Sequence, residues 1–497
     1  MTSPGLPANF DSVATRDAIR DGSLTASDAV SEILGRIDAS NPEISALTQV
    51  FHDDALEAAG AVDKQIAAGE SPGPLAGVPF TVKANICSRE GVTDAASKII
   101  SEYRAPYEAT VVERLKNAGA ILVGKTNLDE FGMGSSTENS ALGPTRNPWN
   151  TDCVPGGSSG GAAAAAAAFG AFHLGSDTGG SIRQPSSYCG VTGFKPTYGR
   201  VSRFGLLAFA SSLDQIGPVA RSARECAMAL DAIAGVDAMD STSADLDVPD
   251  CLGALEGSVE GMKIGIPKEY FSAGIDDVVR EHVERAIDTF RELGVTTEEI
   301  SLPHTEYANP TYVIISGAEA SSNLGRYDGV HYGHRTPAPS DLIDMYSRSR
   351  GEGFGLEAKR RIMIGTFVLS SGYYDAFYLK AMKVRRLIRN DYEEAYKKVD
   401  AVICPTSPVV AFPLGSRLDD PLKLYAVDIL TVSANLAAIP GISFPCGFTD
   451  DGLPVGAQIF GRHFEDDRVL ALAHAFQSAT DFHTRMPPLA GTGGAGS

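Results

Sequence analysis

The sequence predicts one large α/β domain behind a helical lead, on three observations. From residue 67 onward, short apolar segments that read as strands alternate with amphipathic helical segments. Neither an internal repeat nor a linker-like charge run divides the 497 residues. At 43% hydrophobic content, a chain of that length buries a large core.

Residues 1–66 make the lead. Thr25 with Asp28 resembles a capping box, and Val30, Ile33, Leu34 and Ile37 follow at helical spacing. Asn41-Pro42 is expected to break that helix. A second helix is expected over residues 54–67. No chemistry is evident here, so packing or a partner contact is the expected role. A Gly/Pro-rich loop at 69–77 feeds residues 78–83, Val-Pro-Phe-Thr-Val-Lys, a buried strand ending in a lysine. A helix near 108–118 and a strand at 120–123 come next, then a long loop, 124–152, rich in Gly, Ser, Thr and Asn. Loops of that length inside a compact domain are usually functional. Further on, a strand is expected at 262–266 and a strongly amphipathic helix at 278–293. Helical blocks at 312–325 and 356–399 lead to strands at 401–404, 439–446 and 454–460. Residues 67–485 are thus the expected main domain. The Pro/Gly/Ala/Ser-rich residues 486–497 are an expected flexible tail.

Charge and cysteine usage narrow the function classes. Acidic residues outnumber basic ones 62 to 42, for a net charge of −20. This balance argues against a broad basic face for nucleic acid or anionic membrane. An acidic, lysine-poor surface suits a salt-adapted cytoplasm, where concentrated salt screens self-repulsion. An ordinary acidic cytosolic protein fits equally well. The seven cysteines are scattered with no Cys-x-x-Cys pair, so neither a disulfide framework nor a zinc site is indicated. With no signal-like segment and no span-length apolar run, a cytoplasmic location is expected.

The chemistry concentrates in residues 154–196. A phosphate loop of the Gly-x-x-x-x-Gly-Lys-Ser/Thr type is absent. Gly156-Gly157-Ser158-Ser159-Gly160 satisfies the Gly-x-Ser-x-Gly nucleophile elbow, but the elbow needs a strand before it. Residues 147–152, Asn-Pro-Trp-Asn-Thr-Asp, are turn-rich instead. Glycines serving only tight turns would not explain two Ser/Gly turns together with a strand-end lysine. In Asp177-Thr178-Gly179-Gly180-Ser181, the successive glycines let the backbone approach a ligand closely. The N–H groups of Thr178, Gly179, Gly180 and Ser181 are candidates for an oxyanion hole beside the Ser181 hydroxyl. A serine hydroxyl needs a base. His173 lies inside an apolar segment and reads as packed, which leaves Lys83, relayed through Ser158.

These residues resemble the amidase-signature enzymes. The resemblance rests on Pro-Gly-Gly-Ser-Ser-Gly-Gly at 155–161, on residues 175–185, and on Lys83 in Val-Lys-Ala-Asn. It implies a large mixed β-sheet covered by helices on both faces. It also implies Ser181 as nucleophile, Ser158 as a bridging serine beside a cis peptide, and Lys83 as base. Ser158 and Ser181 stand 23 positions apart, one fewer than is usual in that family, with the shortening near Phe169-Gly170 and Ser159 as the other candidate bridge. A neutral Lys83 near pH 7 needs a shift of roughly three units, about 4 kcal/mol. Burial among Phe80, Val82 and Ile86 is the expected source.

Residues 195–218, 319–329, 352–367 and 370–377 further resemble the branch that forms the A-type component of aspartyl/glutamyl-tRNA amidotransferases. That resemblance implies glutamine hydrolysis, with ammonia passed to a tRNA-binding B-type subunit that amidates Glu-tRNA(Gln), and it leaves open whether Asp-tRNA(Asn) is served as well. A small C-type subunit is implied too. ATP and magnesium are expected at the partner, and no cofactor or metal in this chain. A free amino acid as amide donor needs a cation for its carboxylate and an anion for its ammonium. Arg361 and Asp428 match those positions, and Tyr312 matches a substrate contact. A free-standing amidase acting on another small amide is the alternative. A non-catalytic scaffold would not need Lys83, Ser158 and Ser181 together.

Overall fold

The computed structural model describes residues 10–271 and 274–489. Its backbone is an 11-stranded mixed sheet with helices on both faces. In chain order the strands are β1 (Leu47–Val50), β2 (Pro79–Lys83), β3 (Ile121–Thr126), β4 (Phe172–Asp177), β5 (Thr192–Lys195) and β6 (Gln215–Ala220). Then come β7 (Lys263–Pro267), β8 (Thr296–Ile300), β9 (Ala401–Pro405), β10 (Gly441–Phe448) and β11 (Pro454–Gly461). Across the sheet they run β1-β3-β2-β4-β6-β5-β10-β11-β9-β7-β8. β3, β2 and β4 are mutually parallel neighbours, so all three end at the same edge. Pairing puts Lys83 opposite Thr126 and Val82 opposite Leu174. Side chains alternate faces along each strand. On β3, Ile121 and Val123 pack with the lead helices and the alanine helix Gly160–Ala168, while Leu122 joins the core cluster of Phe80, Val82 and Phe172.

The lead differs from its helical expectation in two ways. It contributes edge strand β1, antiparallel to β3, between the helices Ala26–Ile44 and His52–Ala67. The first of these helices is not broken at Asn41-Pro42 but runs through Pro42 to Ile44. Proline there removes a single backbone donor near the end of the helix, and its ring is exposed. The Asn41 side chain meanwhile exchanges two hydrogen bonds with the Leu47 backbone, at 2.8 and 3.0 Å, which ties the helix end to β1. At the start of that helix, the Thr25 hydroxyl accepts from the Asp28 N–H at 3.0 Å.

The remaining differences have local causes. The 356–399 block divides into Leu356–Val368 and Lys380–Ala395 around an exposed junction with one π turn, Asp375–Leu379. A further helix, Leu342–Gly353, lies just before it. The tail expected at 486–497 lies outside the described residues from 490 on. No helix among the described residues is long and apolar enough to cross a membrane.

Helix Ala308–Asn323 crosses Leu356–Val368 at a glycine contact that sets how close the two come. A Cβ on Gly365 would lie 1.9 Å from the Gly317 carbonyl oxygen. Gly365→Ala is therefore expected to force the helices apart and cost about 1–3 kcal/mol. Thermal unfolding checks this, and an unchanged Tm would contradict the close crossing.

Candidate active site

Three parallel strands deliver the site to one edge. β2 ends at Lys83, β4 runs into the turn bearing Ser181, and β3 opens the long loop that returns at Ser158. Binding at the carboxyl ends of parallel strands is the general habit of open α/β sheets. A cis peptide joins Gly157 to Ser158. The Gly160–Ala168 helix then fits between sheet and lead because its side chains are all hydrogen or methyl. A Cβ on Gly161 would lie 2.5 Å from the Asn127 carbonyl oxygen. The segment between the two serines leaves that helix in a tight turn, with Gly170 and Ala171 both at positive φ, +78° and +63°.

Lys83 is fully buried, and its amine contacts Ser158 Oγ at 2.7 Å, Ser159 Oγ at 2.9 Å, Ser176 Oγ at 3.0 Å and the Ser176 carbonyl oxygen at 3.3 Å. The serines are distinguishable by where their protons go. Ser159 donates its hydroxyl proton to the Ser176 carbonyl at 3.0 Å, so toward Lys83 it is an acceptor. Among the described residues Ser158 Oγ has no bond except to Lys83, and its proton is free to move. Burial lowers the Lys83 pKa to about 7, against the opposing pull of Asp129, Asp177 and Asp214. The source of that burial differs from expectation. Phe80 and Val82 project into the core on the opposite face of β2, as the two-residue alternation requires. Lys83 is instead enclosed by the serine hydroxyls and the turns that carry them.

The Ser181 turn is held from below. Asp177 is fully buried and ion-paired to Arg183, its Oδ2 lying 3.1 Å from Nε. Burial pushes its carboxyl upward, but the Arg183 charge and hydrogen bonds outweigh this and hold it at about 2. Asp177 Oδ1 also accepts the Gly180 N–H at 2.8 Å, so that donor is already engaged. Thr178, Gly179 and Ser181 remain as the oxyanion candidates. Gly180 adopts φ +135° against Thr431, where any Cβ would meet the threonine hydroxyl oxygen at 2.1 Å. The Thr178 hydroxyl donates to Asp214 at 2.7 Å. The Ser181 carbonyl accepts the Ser159 N–H at 3.0 Å, which joins the two serine turns through the backbone. Among the described residues no hydrogen bond links the Ser158 and Ser181 hydroxyls. Ser181 is the most accessible of the three, at 7%. His173 is buried and bonded to the Thr81 hydroxyl and the Gly170 carbonyl.

Tyr312 and Asp428 lie at the same turn, and the Arg361 charge acts on both of them. The Tyr312 ring packs on Gly179, where a Cβ would lie 2.7 Å from Cζ. Asp428 is tied to the turn by Thr431, whose hydroxyl contacts both the Gly179 carbonyl oxygen, at 2.6 Å, and that of Asp428, at 2.9 Å. Asp428 Oδ2 accepts the Ser135 hydroxyl, while Oδ1 is buried with no partner among the described residues. Burial pushes its carboxyl up to about 8. An orphaned carboxylate oxygen is a standing place for a cationic donor. Arg361 is buried, 2.7 Å from Glu357 through Nε, with its guanidinium 4.4 Å from the centre of the Tyr425 ring.

The chain belongs to the amidase family. The family model described as Amidase matches residues 28–470. The A-type component of the Moorella thermoacetica glutamyl-tRNA(Gln) amidotransferase is 56% identical over 474 residues, 95% of this chain and 97% of that protein. Its counterpart from Heliobacterium modesticaldum is 55% identical over 94% of this chain and 96% of that one. Among solved structures, the corresponding component of the Thermotoga maritima glutamyl-tRNA(Gln) amidotransferase aligns with a TM-score of 0.80 at 41% identity, covering 96% of each chain.

Several residues of the site carried no sequence signal of their own. Asp129 is fully buried and accepts the Thr137 and Asn139 N–H groups at 2.9 and 3.0 Å. It also crowds Gly157, where a Cβ would lie 2.2 Å from its Oδ2. Ser176 and Glu357 likewise read as ordinary polar residues. Among the described residues no group of three or more His, Cys, Asp or Glu is placed to hold a metal. With Lys83 as base, amide hydrolysis is expected to rise with pH through about 7 and level off above it, because the deprotonated amine is the active form. A pH profile of kcat/KM that is flat between about 5.5 and about 8.5 would remove Lys83 from that role.

Proposed function

We propose that this chain is the glutaminase subunit of a tRNA-dependent amidotransferase, with residues 67–485 as its catalytic domain. The observation that supports it best is the 2.7 Å contact from a buried, low-pKa Lys83 to Ser158, beside the Ser181 turn. In this reading Ser181 Oγ attacks the carboxamide carbon of glutamine while its proton passes through Ser158 to Lys83. The N–H groups of Thr178, Gly179 and Ser181 receive the developing oxyanion. Lys83 returns the proton through Ser158 to the departing nitrogen, releasing ammonia and leaving a glutamyl ester on Ser181. Water, deprotonated by the same relay, then hydrolyses the ester.

Asp428 and Arg361 complete the donor site in this proposal. The unpaired Asp428 Oδ1 receives the α-ammonium, Arg361 the α-carboxylate, and Tyr312 closes over the turn. Asp428→Asn and Arg361→Ala are each expected to raise the glutamine KM about 10- to 100-fold, the effect of losing one charge-assisted contact. Steady-state kinetics on both variants checks this, and an unchanged KM removes the residue from the pocket.

The proposed partners are a small C-type subunit with a tRNA-binding B-type one, which uses ATP and magnesium to amidate Glu-tRNA(Gln) or Asp-tRNA(Asn). The relatives at 55–56% identity carry the name of a component of such an enzyme, which supports this assembly. The deciding experiment is a glutaminase assay on the chain with and without both partners, charged tRNA and ATP. Amidated tRNA is the expected product of the full mixture. Activity on simple aliphatic amides with none on glutamine would overturn the reading. We further propose that the −20 charge is a salt adaptation in the cytoplasm. The Tm is then expected to climb with KCl from dilute to molar, and a flat curve would count against it.

A further inference from the structure

Arg361 is held by a buried cluster of its own. Glu357 lies one turn before it on helix Leu356–Val368, and both side chains are buried. Glu357 Oε1 accepts twice, from Arg361 Nε at 2.7 Å and from the Tyr425 hydroxyl at 2.5 Å. Glu357 Oε2 accepts from Arg360. The Tyr425 ring in turn lies against the Arg361 guanidinium, its centroid 4.4 Å from the guanidinium carbon. Arg361 is therefore gripped along one edge by a carboxylate and on one face by a ring. Its terminal nitrogens are left over. Among the described residues Nη2 makes no hydrogen bond, and Nη1 makes one, at 3.5 Å to the Ser316 hydroxyl.

We propose that Glu357 and Tyr425 are positioning residues that hold Arg361 as a preformed carboxylate receptor, and so set the demand for an α-amino acid donor. The proposal rests on the reading of Arg361 as the group that receives the α-carboxylate. Three observations carry it. With Glu357 on Nε, the Nη1–Nη2 edge is what remains to take a carboxylate through two parallel N–H bonds. Arg361 paired with Glu357 alone would be neutral, but Arg360 on the second oxygen leaves the trio one positive charge in excess, as an incoming carboxylate requires. Tyr425 closes helix Pro421–Tyr425 three residues before Asp428, and its carbonyl accepts from Asn309 at 3.4 Å, three residues before Tyr312 on helix Ala308–Asn323. One tyrosine thus joins the segments that carry all three proposed donor contacts. It fixes the spacing between the cation for the α-carboxylate and the anion for the α-ammonium. An unclamped arginine loses rotamer freedom when a ligand binds, whereas a clamped one has lost it beforehand and binds more tightly.

The test is steady-state glutamine hydrolysis by the full chain with both proposed partner subunits. It compares wild type with Glu357→Ala, Tyr425→Phe and Arg361→Ala, and with each of the first two combined with the third. Tyr425→Phe keeps the ring and removes only the hydroxyl, so it carries the test if Glu357→Ala does not fold. Each of the two is expected to lower kcat/KM about 3- to 10-fold through KM, with kcat within about twofold of wild type. In the Arg361→Ala background neither is expected to lower it further, because a residue acting only through Arg361 then has nothing to position. A merely structural role adds its loss to that of Arg361→Ala instead. An unchanged KM in Tyr425→Phe, or losses that add to that of Arg361→Ala, overturns the positioning role and leaves Arg361 as the receptor. An unchanged KM in Arg361→Ala overturns the donor-site reading, as does a wild-type mixture that releases no ammonia from glutamine, and the proposal falls with it.

Discussion

Everything at the site depends on keeping one lysine dry. Moving the Lys83 pKa from 10.5 to about 7 corresponds to about 5 kcal/mol disfavouring the ammonium. That penalty acts against three buried aspartates that favour the charged form. A neutral amine has two hydrogens and one lone pair. Ser159 and Ser176 can take the hydrogens, and the lone pair is then left for the Ser158 proton. Enclosure by hydroxyls thus does two things at once: it removes water, and it gives the amine a direction.

The sheet explains how such an enclosure is built from distant sequence. Lys83, Ser158 and Ser181 come from three segments that meet only because β3, β2 and β4 are adjacent and parallel. Each loop leaving this edge must then return without filling the space above Lys83. Small residues solve that problem. The alanine helix behind Ser159 lets two backbone layers approach, and Gly157 and Gly180 accept the Asp129 carboxylate and Thr431 where a Cβ would collide. The tight turn at Gly170-Ala171 lies beyond the helix and leaves the Lys83 contacts in place.

This division also sets what is legible in the sequence. The serine turns, the strand-end lysine and most strands of the parallel half can be read there because motif and burial pattern coincide. β5, β6 and β8 cannot. β5 is four residues with a glycine, β6 contains Gly217-Pro218, which reads as a turn, and β8 is Thr-Thr-Glu-Glu-Ile, an edge strand with little apolar alternation. Sequence neighbours point to the wrong enclosure for Lys83 because adjacent residues face away from each other on a strand. Asp129, Ser176 and Glu357 are invisible for a related reason: a polar residue becomes part of a site only through burial, and burial is set by the tertiary fold.

Four aspartates around the site show how far placement alone differentiates one side chain. Asp177 has a guanidinium and backbone donors, and it stays ionised at about 2. Asp214 and Asp129 have hydrogen bonds but no ion pair, and burial lifts them to about 6 and about 7. Asp428 has the Ser135 hydroxyl on one oxygen and nothing on the other, and it rises furthest, to about 8. The order follows the donors each carboxyl has, with the largest shift where one is missing. A protein that needed Asp428 only for packing would gain by supplying a second donor or replacing the carboxyl. Leaving one oxygen bare, beside Tyr312 and within the field of Arg361, makes sense if the missing donor arrives with the ligand, as the α-ammonium of an amino acid does.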